Sequence, residues 1–213
     1  TRPEIYEQDP VRFDVMLHLG AFVTESSGHF SEYVPYFRKR PDLLTRYTRS
    51  GYLGESGFYA NNWPLWRTYN DERIHAMLRG ENEIPLERSH EYASNIIEAM
   101  ELGQTTSIHG NVTNTGAIQN LPDGCVEVEC IVGRDGLRPV AFGSLPEQLA
   151  ALNRSHMAVH ELMVQALLER DRRKAMYALM LDPLTAAVCS LEEIEKLFGE
   201  MWKAERSSLE AFE

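Results

Sequence analysis

The sequence predicts a helix-rich α+β fold with a small, mostly antiparallel sheet in the middle of the chain. Two observations support this prediction. Apolar residues recur at three- and four-residue spacing before residue 103 and again after residue 146, which is the helical period. Between these regions the period shortens to two, as in a half-buried strand. A run of helices, then strands, then helices favours α+β over an alternating parallel sheet.

The composition argues against several classes of protein. A chain of 213 residues, 43% of them apolar, can build a sizeable core in one large domain or two small ones. Its net charge of −11 argues against nucleic acid, because phosphate binding needs a basic surface. We find no run as apolar as a membrane span and no signal peptide at the start of the sequence. Cys125, Cys130 and Cys189 form no CxxC pair, which predicts a reduced, cytoplasmic protein.

Three helices are predicted in the first part of the chain. The first begins at Asp9-Pro10, a cap followed by a first-turn proline, and Gly20 can end it. The second begins near residue 26, and Pro35 predicts a kink or an early end. Pro41 begins a third, short helix. The basic run 38–40 before it is interpreted as a solvated face.

An aromatic, glycine-rich segment between residues 50 and 66 is predicted to be a loop that begins at Ser50-Gly51. Aromatic rings can stack on a sugar, but a loop pinned to the core by its rings is the favoured interpretation. The aromatic residues are Tyr52, Phe58, Tyr59, Trp63 and Trp66.

The middle of the chain combines a helix with short strands. A helix is predicted from Ser89 to just before Gly103. Strands are predicted at 106–111, 126–132 and 137–142, and another begins at 117–118. Asp135-Gly136 is a strong hairpin turn, and 122–124 is a further turn.

Helices account for the rest of the chain. The first runs from Pro146 through 169, and the next spans 171–181 and ends at Asp182-Pro183. Ser190 begins the last, with Glu193 three residues later as a capping box. The tail beyond residue 202 is polar and expected to fray.

The segment 20–37 contains the candidate catalytic residues Glu25, His29 and Tyr33. In a helix capped by Ser26 or Ser27, their three- and four-residue spacing places them together with Glu32. Such a titratable cluster transfers protons when it lines a cleft. The alternative is a capped surface helix with solvated charges.

Two other groups of polar residues have weaker signals. His156 and His160 lie four residues apart beside Glu161, a spacing that can hold a metal, but no Cys or Asp obviously joins them. We predict no metal there. Asn111 and Asn114 can bind a polar ligand or serve as turn residues. The sequence contains no GxGxxG, P-loop or GxSxG motif.

Taken in order, five segments resemble the C-terminal half of the NAD- and manganese-dependent glycoside hydrolases of family four. The likeness is to their α-galactosidase and α-glucosidase branch. The segments are 23–37, 91–95, 110–116, 120–124 and 182–188. The resemblance implies a domain like the C-terminal domain of lactate and malate dehydrogenases, which follows a Rossmann domain. Residues 1–213 are then the catalytic, substrate and oligomerisation domain, without the NAD-binding one.

The resemblance also implies a mechanism in which NAD oxidises the sugar C3 hydroxyl and a base removes the C2 proton. Tyr33 matches the family's tyrosine base, Glu25 is the rival base, and His29 lies beside them. Because the pKa of tyrosine is ordinarily ~10, Tyr33 needs a neighbouring cation or metal to act as a base. NAD and Mn²⁺ are expected in the full-length enzyme, and neither in this chain alone. The expected substrate-binding residues are Ser26, Glu32, Asn111 and Asn114.

Two alternative functions stay open at this point. The long apolar helices after residue 146 can bury a subunit interface, so the chain can be a noncatalytic oligomerisation module, and a homo-oligomer is expected in either case. A member of the same family can also act on a different sugar, such as a 6-phosphoglycoside. Phosphate would require a basic pocket.

Overall fold

The computed structural model describes residues 2–48, 58–88 and 90–212. The chain divides into two compact units: Thr1–Ala60 with Glu147–Glu213, and Asn61–Pro146. That residues 1–213 act as one functional domain stays a prediction. The predictions made for Ser50-Gly51, Tyr52 and Ser89 lie outside the described residues.

The predicted helix-rich α+β class is confirmed. The helices are α1 (Pro3–Tyr6), α2 (Pro10–Leu19), α3 (Ser27–Tyr33), α4 (Pro41–Tyr47), α5 (Phe58–Leu78), α6 (Ala93–Leu102), α7 (Glu147–Glu169), α8 (Arg172–Leu181), α9 (Pro183–Val188) and α10 (Leu191–Ala204). The strands are β1 (Thr106–Thr113), β2 (Cys125–Gly133) and β3 (Gly136–Pro139). No helix in the described part of the chain is both long and apolar enough to span a bilayer.

The helices near the start of the chain follow their local signals. Gly20 ends α2 at φ 82°, a left-handed conformation that glycine adopts without steric cost. α3 ends at Tyr33 and Val34 is extended, because the residue before a proline is disfavoured in the helical region. Beneath them lies an apolar core of Val11, Val15, Val34, Phe37 and Tyr47.

The loop predicted up to Trp66 is wrong for residues 58–66, which form the first part of α5. The glycine-rich composition ends at Gly57, and no glycine follows before Gly80, so the helix forms despite Pro64. Among the described residues of α5 none is buried. Its exposed apolar residues include Trp63, Leu65, Trp66 and Tyr69.

The second unit contains the predicted antiparallel sheet, in the order β1-β2-β3. Along β2 alternate side chains are buried, as the period of two predicts. The predicted hairpin forms, but its turn residues are Arg134 and Asp135, one position before the predicted Asp135-Gly136, and Gly136 begins β3 at φ 100°. The strand predicted at 117–118 is wrong: Ile118 makes only an isolated bridge with Gly143. The returning strand, predicted over 137–142, ends at Pro139, although Val140 N still donates to the Glu129 carbonyl of β2 at 2.8 Å.

α6 begins at Ala93, four residues after the predicted start at Ser89. It ends at Gly103, as predicted, with φ 69°. α6 packs against β1 and β2 and so covers one face of the sheet.

The C-terminal helices agree with the sequence except at two places. α9 was not predicted, although Asp182 caps it and Pro183 occupies its first turn, which is a standard helix start. The prediction of a frayed tail is wrong as far as Phe212. Two 3₁₀ turns, Arg206–Ser208 and Glu210–Phe212, follow α10. The Phe212 ring packs edge-on against Trp202, with centroids 5.2 Å apart.

The capping box of α10 gives a testable prediction. Ser190 Oγ accepts from Glu193 N, and Glu193 Oε2 accepts from Ser190 N at 2.7 Å. Ser190→Ala is expected to lower the free energy of unfolding by about 1 kcal/mol, since a helix N–H loses its acceptor. Urea unfolding of the full-length protein measures this, with the exposed Ser207→Ala as the control. Equal stability of the two variants would contradict it.

Candidate active site

Glu25 and His29 form a contact at the start of α3. Ser26 caps the helix, its Oγ accepting from His29 N at 3.3 Å. The cap places His29 one turn after Glu25, and Glu25 Oε1 lies 3.1 Å from His29 Nδ1. The same oxygen accepts from Ser26 N at 2.7 Å. The side chains of His29 and Glu25 keep 37% and 41% of their surface exposed, so a ligand can reach both.

The environment of Glu25 favours its ionised form. Partial burial alone would raise its pKa, but the Ser26 N–H, the His29 hydrogen bond and the charge of His29 outweigh burial and lower it. Glu25 is therefore a carboxylate at neutral pH. A carboxylate that contacts one nitrogen of a histidine orients the ring and leaves the other nitrogen for a ligand.

Tyr33 ends α3 and is 43% exposed. Burial raises its pKa above the ordinary value, and the negative charges of Glu25 and Glu32 raise it further. The phenol is therefore protonated at neutral pH. A tyrosine base needs a neighbouring cation or metal. No cation is among the described groups that shift the pKa of Tyr33.

A buried arginine supports the α3 backbone. The Arg38 side chain is only 11% exposed, so the solvated interpretation is wrong for this residue. Its Nε donates to Ser31 Oγ at 2.7 Å and its Nη2 to the Gly28 carbonyl at 3.4 Å. Glu32 lies 3.4 Å from the guanidinium, which fixes the carboxylate at the exposed edge of the helix.

Tyr59 and His156 were not predicted as site residues, yet both contact the α3 cluster. The Tyr59 ring lies over the His29 ring, with centroids 4.7 Å apart and planes 30° apart. The ring of His156 meets Tyr33 edge-on, with centroids 6.3 Å apart. Tyr59 lay in the segment assigned to a loop, so no helical spacing connected it with the site.

The predicted residues of the second unit have different environments. Asn111 is exposed on β1, opposite Glu127. Asn114 is buried, and its Nδ2 donates to the carbonyls of Ile118, Leu121 and Pro122. These contacts support the turn interpretation of Asn114. The catalytic roles of Tyr33, Glu25 and His29 and the binding roles of Ser26, Glu32, Asn111 and Asn114 stay predictions.

The described residues do not fit a metal ion on their own. Nowhere in residues 2–48, 58–88 and 90–212 do three His, Cys, Asp or Glu side chains come together as ligands. The rings of His156 and His160 lie 6.5 Å apart between centroids. A dinucleotide would also lack its GxGxxG loop in this sequence.

The chain is thus a helix-rich α+β domain in which Glu25 and His29 are in contact near Tyr33. Residues 2–185 match the model of the family 4 glycosyl hydrolase C-terminal domain. The chain belongs to this family. It is 38% identical over 201 residues to an α-galactosidase of Bacillus subtilis (strain 168), covering 92% of this chain and 45% of the relative. An α-galactosidase of Rhizobium meliloti (strain 1021) is 38% identical over 205 residues, covering 93% and 42%.

Solved structures show the same fold. The Bacillus subtilis protein lplD superposes with a TM-score of 0.74 at 25% identity, covering 90% of this chain and 42% of its own. A 6-phospho-α-glucosidase from gut microorganisms, solved in complex with NAD and Mn²⁺, gives 0.66 at 18% identity, covering 97% and 45%. The chain thus spans less than half the length of the relatives it matches.

Proposed function

We propose that this chain is the substrate-side half of an NAD-dependent hydrolase of α-galactosides or α-glucosides. The observation that carries the proposal is the contact of Glu25 with His29 beside Tyr33. The chain supplies this proton-transfer cluster, and its similarity to α-galactosidases supports the sugar. A cytoplasmic location is part of the proposal, since Cys125, Cys130 and Cys189 are free thiols.

NAD, with a metal ion, supplies the oxidation at the sugar C3 hydroxyl, and both belong to the rest of the full-length enzyme. Within this chain, Tyr33 in its ionised, phenolate form is the proposed acceptor of the C2 proton. The electron pair of the broken C2–H bond forms the C1–C2 double bond and expels the aglycone, which leaves with the electron pair of the C1–O bond. Glu25 is the rival acceptor, because it is already ionised at neutral pH. Ser26 and Glu32 are the proposed contacts to sugar hydroxyls in this unit.

The sugar is proposed to carry no phosphate. Of the basic run, Arg38 is directed at Gly28 and Ser31, and Arg40 pairs with Asp42. Both guanidinium groups are therefore already occupied by partners within the chain. This favours an unmodified sugar over a 6-phosphoglycoside.

Hydrolysis by the full-length protein tests the proposal. Nitrophenyl α-galactoside and α-glucoside are supplied with NAD, manganese and reductant, beside the corresponding 6-phosphoglycosides. Turnover of an unphosphorylated substrate that requires NAD is expected. Turnover of 6-phosphoglycosides alone would keep the family and change the sugar. Hydrolysis without NAD would contradict the mechanism.

The isolated 213-residue chain gives a further prediction. It is expected neither to bind NAD nor to hydrolyse a glycoside, because the phosphate-binding loop and the metal ligands belong to the rest of the enzyme. Calorimetric titration with NAD measures this, and the full-length protein is the positive control. A heat of NAD binding in the isolated chain would contradict the proposal that the rest of the enzyme binds NAD.

Subunit association is a second proposed function, compatible with the first. α7 exposes Val164, Leu167 and Leu168, the last at 80% of its surface. Adjacent exposed apolar side chains are typical of interaction surfaces. We therefore propose a homo-oligomer, and light scattering of the full-length protein tests it. A monomer at micromolar concentration would contradict this.

A further inference from the structure

His156 on α7 is a titratable group that the proposed proton transfer does not use. Its ring meets the Tyr33 ring edge-on, with planes 69° apart. The main chain of Tyr33 also lies near enough to the imidazole to favour its protonated form. His156 therefore lies beside the last residue of α3 and contacts its ring.

The Nε2 atom of His156 destabilises the fold. Nε2 is buried and has no hydrogen-bond partner in the part of the chain that the structure describes. Leaving a buried polar atom unpaired destabilises a fold. An aliphatic side chain would fill similar space without this penalty, so packing alone does not explain a histidine here.

The imidazole is neutral near pH 7. Burial lowers the pKa of His156, although the Tyr33 main chain and the charge of Asp182 favour the protonated ring. His160, on the same helix, lowers the pKa further. A neutral ring keeps one N–H donor and one acceptor nitrogen, and it places no positive charge beside the phenol.

We infer that His156 is a positioning residue that holds Tyr33 in the orientation needed to accept the C2 proton, an inference that rests on the proposed function. It holds the ring from α7, on one side. Glu25, Glu32 and Tyr59 lie near enough to the phenol to act on it from other positions. Without the edge-on contact the Tyr33 ring can tilt, and a displacement of about 1 Å can slow an enzyme on the order of 10²-fold.

Two substitutions at His156 in the full-length enzyme test the inference. His156→Leu is expected to lower kcat about 10- to 100-fold and to change KM by less than about threefold, since binding is unaffected. His156→Gln keeps a planar polar side chain with an N–H donor near Tyr33 and is expected to recover part of kcat. His160→Gln, an exposed residue one turn later on α7, is the matched control and should keep both parameters.

Thermal unfolding separates positioning from packing. His156→Leu is expected to melt at or above the parental temperature, because the unpaired nitrogen is gone. A parental kcat in this variant overturns the inference. The inference is also overturned if both variants lose kcat equally and both melt at lower temperatures than the parent, because the loss then reflects destabilisation. If His156→Leu does not fold, His156→Met, which also lacks a ring, replaces it in the same comparison.

A spectroscopic measurement keeps the inference independent of turnover. In protein labelled with ¹³Cζ-tyrosine, the Tyr33 signal is assigned with Tyr33→Phe. It is expected to shift in His156→Leu and to stay in place in His160→Gln. An unchanged Tyr33 signal overturns the inference. A parental enzyme that hydrolyses no α-glycoside contradicts the proposed function instead, and this measurement still reports on His156.

Discussion

Tyr33→Phe in the full-length enzyme is expected to lower kcat by about 10²- to 10⁴-fold, the usual loss on removing a positioned general base. Sugar and NAD binding should stay near the parental values, because the ring remains and only the phenol oxygen is lost. The Tyr33 side chain is 43% exposed, so the substitution leaves no large cavity. Exchange of the sugar C2 hydrogen with deuterated solvent reports the proton transfer directly and should slow by the same factor.

Glu25→Gln and Tyr36→Phe complete this experiment. Glu25→Gln removes the charge that contacts His29 and tests the rival base. Tyr36 is an exposed tyrosine three residues after Tyr33 and serves as the matched control. If the Tyr33→Phe variant exchanges the sugar C2 hydrogen at the parental rate and the Glu25→Gln variant does not, the base is Glu25. If neither substitution changes the exchange rate, the cluster is structural.

The start of the candidate site could be predicted because its signals are local. Ser26 caps α3, and Pro35 favours an early end, so the seven-residue helix and the spacing of Glu25 and His29 follow from adjacent residues. The hairpin after β2 and the capping box of α10 were predicted for the same reason. Each of these features depends on residues that lie only a few positions apart in the chain.

The rest of the site depends on packing between distant segments. His156 reaches Tyr33 only because α7 folds back against the end of α3, and no local pattern contains that contact. Arg38 lies in a basic run that is typical of a solvated surface. Only the structure shows that its side chain is largely buried and donates to the Gly28 carbonyl. The electrostatic environment of Tyr33 also comes from the fold, since burial has the largest effect on its pKa.

α5 shows a different limit of the sequence. Its aromatic residues followed a glycine-rich segment, and the helical period was obscured because none of its described residues is buried. A helix without a buried face has no amphipathic pattern to detect. The contact of Tyr59 with His29 could therefore not be predicted, because Tyr59 lies in the first turn of a helix that the sequence did not indicate.

Asn114→Ala is expected to give the largest loss of stability, about 3 kcal/mol or more. Asn114 is 2% exposed, and its Oδ1 accepts from Ile118 N at 2.9 Å while its Nδ2 donates to three carbonyls at 3.0–3.1 Å. Alanine leaves one buried N–H and three carbonyls without this partner. Each buried hydrogen bond left unmade costs about 1–3 kcal/mol, and relaxation of the turn keeps the sum below full additivity.

Two further variants identify the cause of the loss. Asn114→Asp keeps the acceptor for Ile118 N but directs a carboxylate at three carbonyl oxygens, so it should be at least as unstable as the alanine variant. Asn111→Ala, an exposed position three residues earlier, should unfold like the parent. Urea unfolding of the full-length protein measures all three, and hydrogen exchange at the Ile118 amide locates the change. If Asn114→Ala keeps the parental stability and raises KM for the sugar instead, Asn114 binds substrate and does not hold the turn.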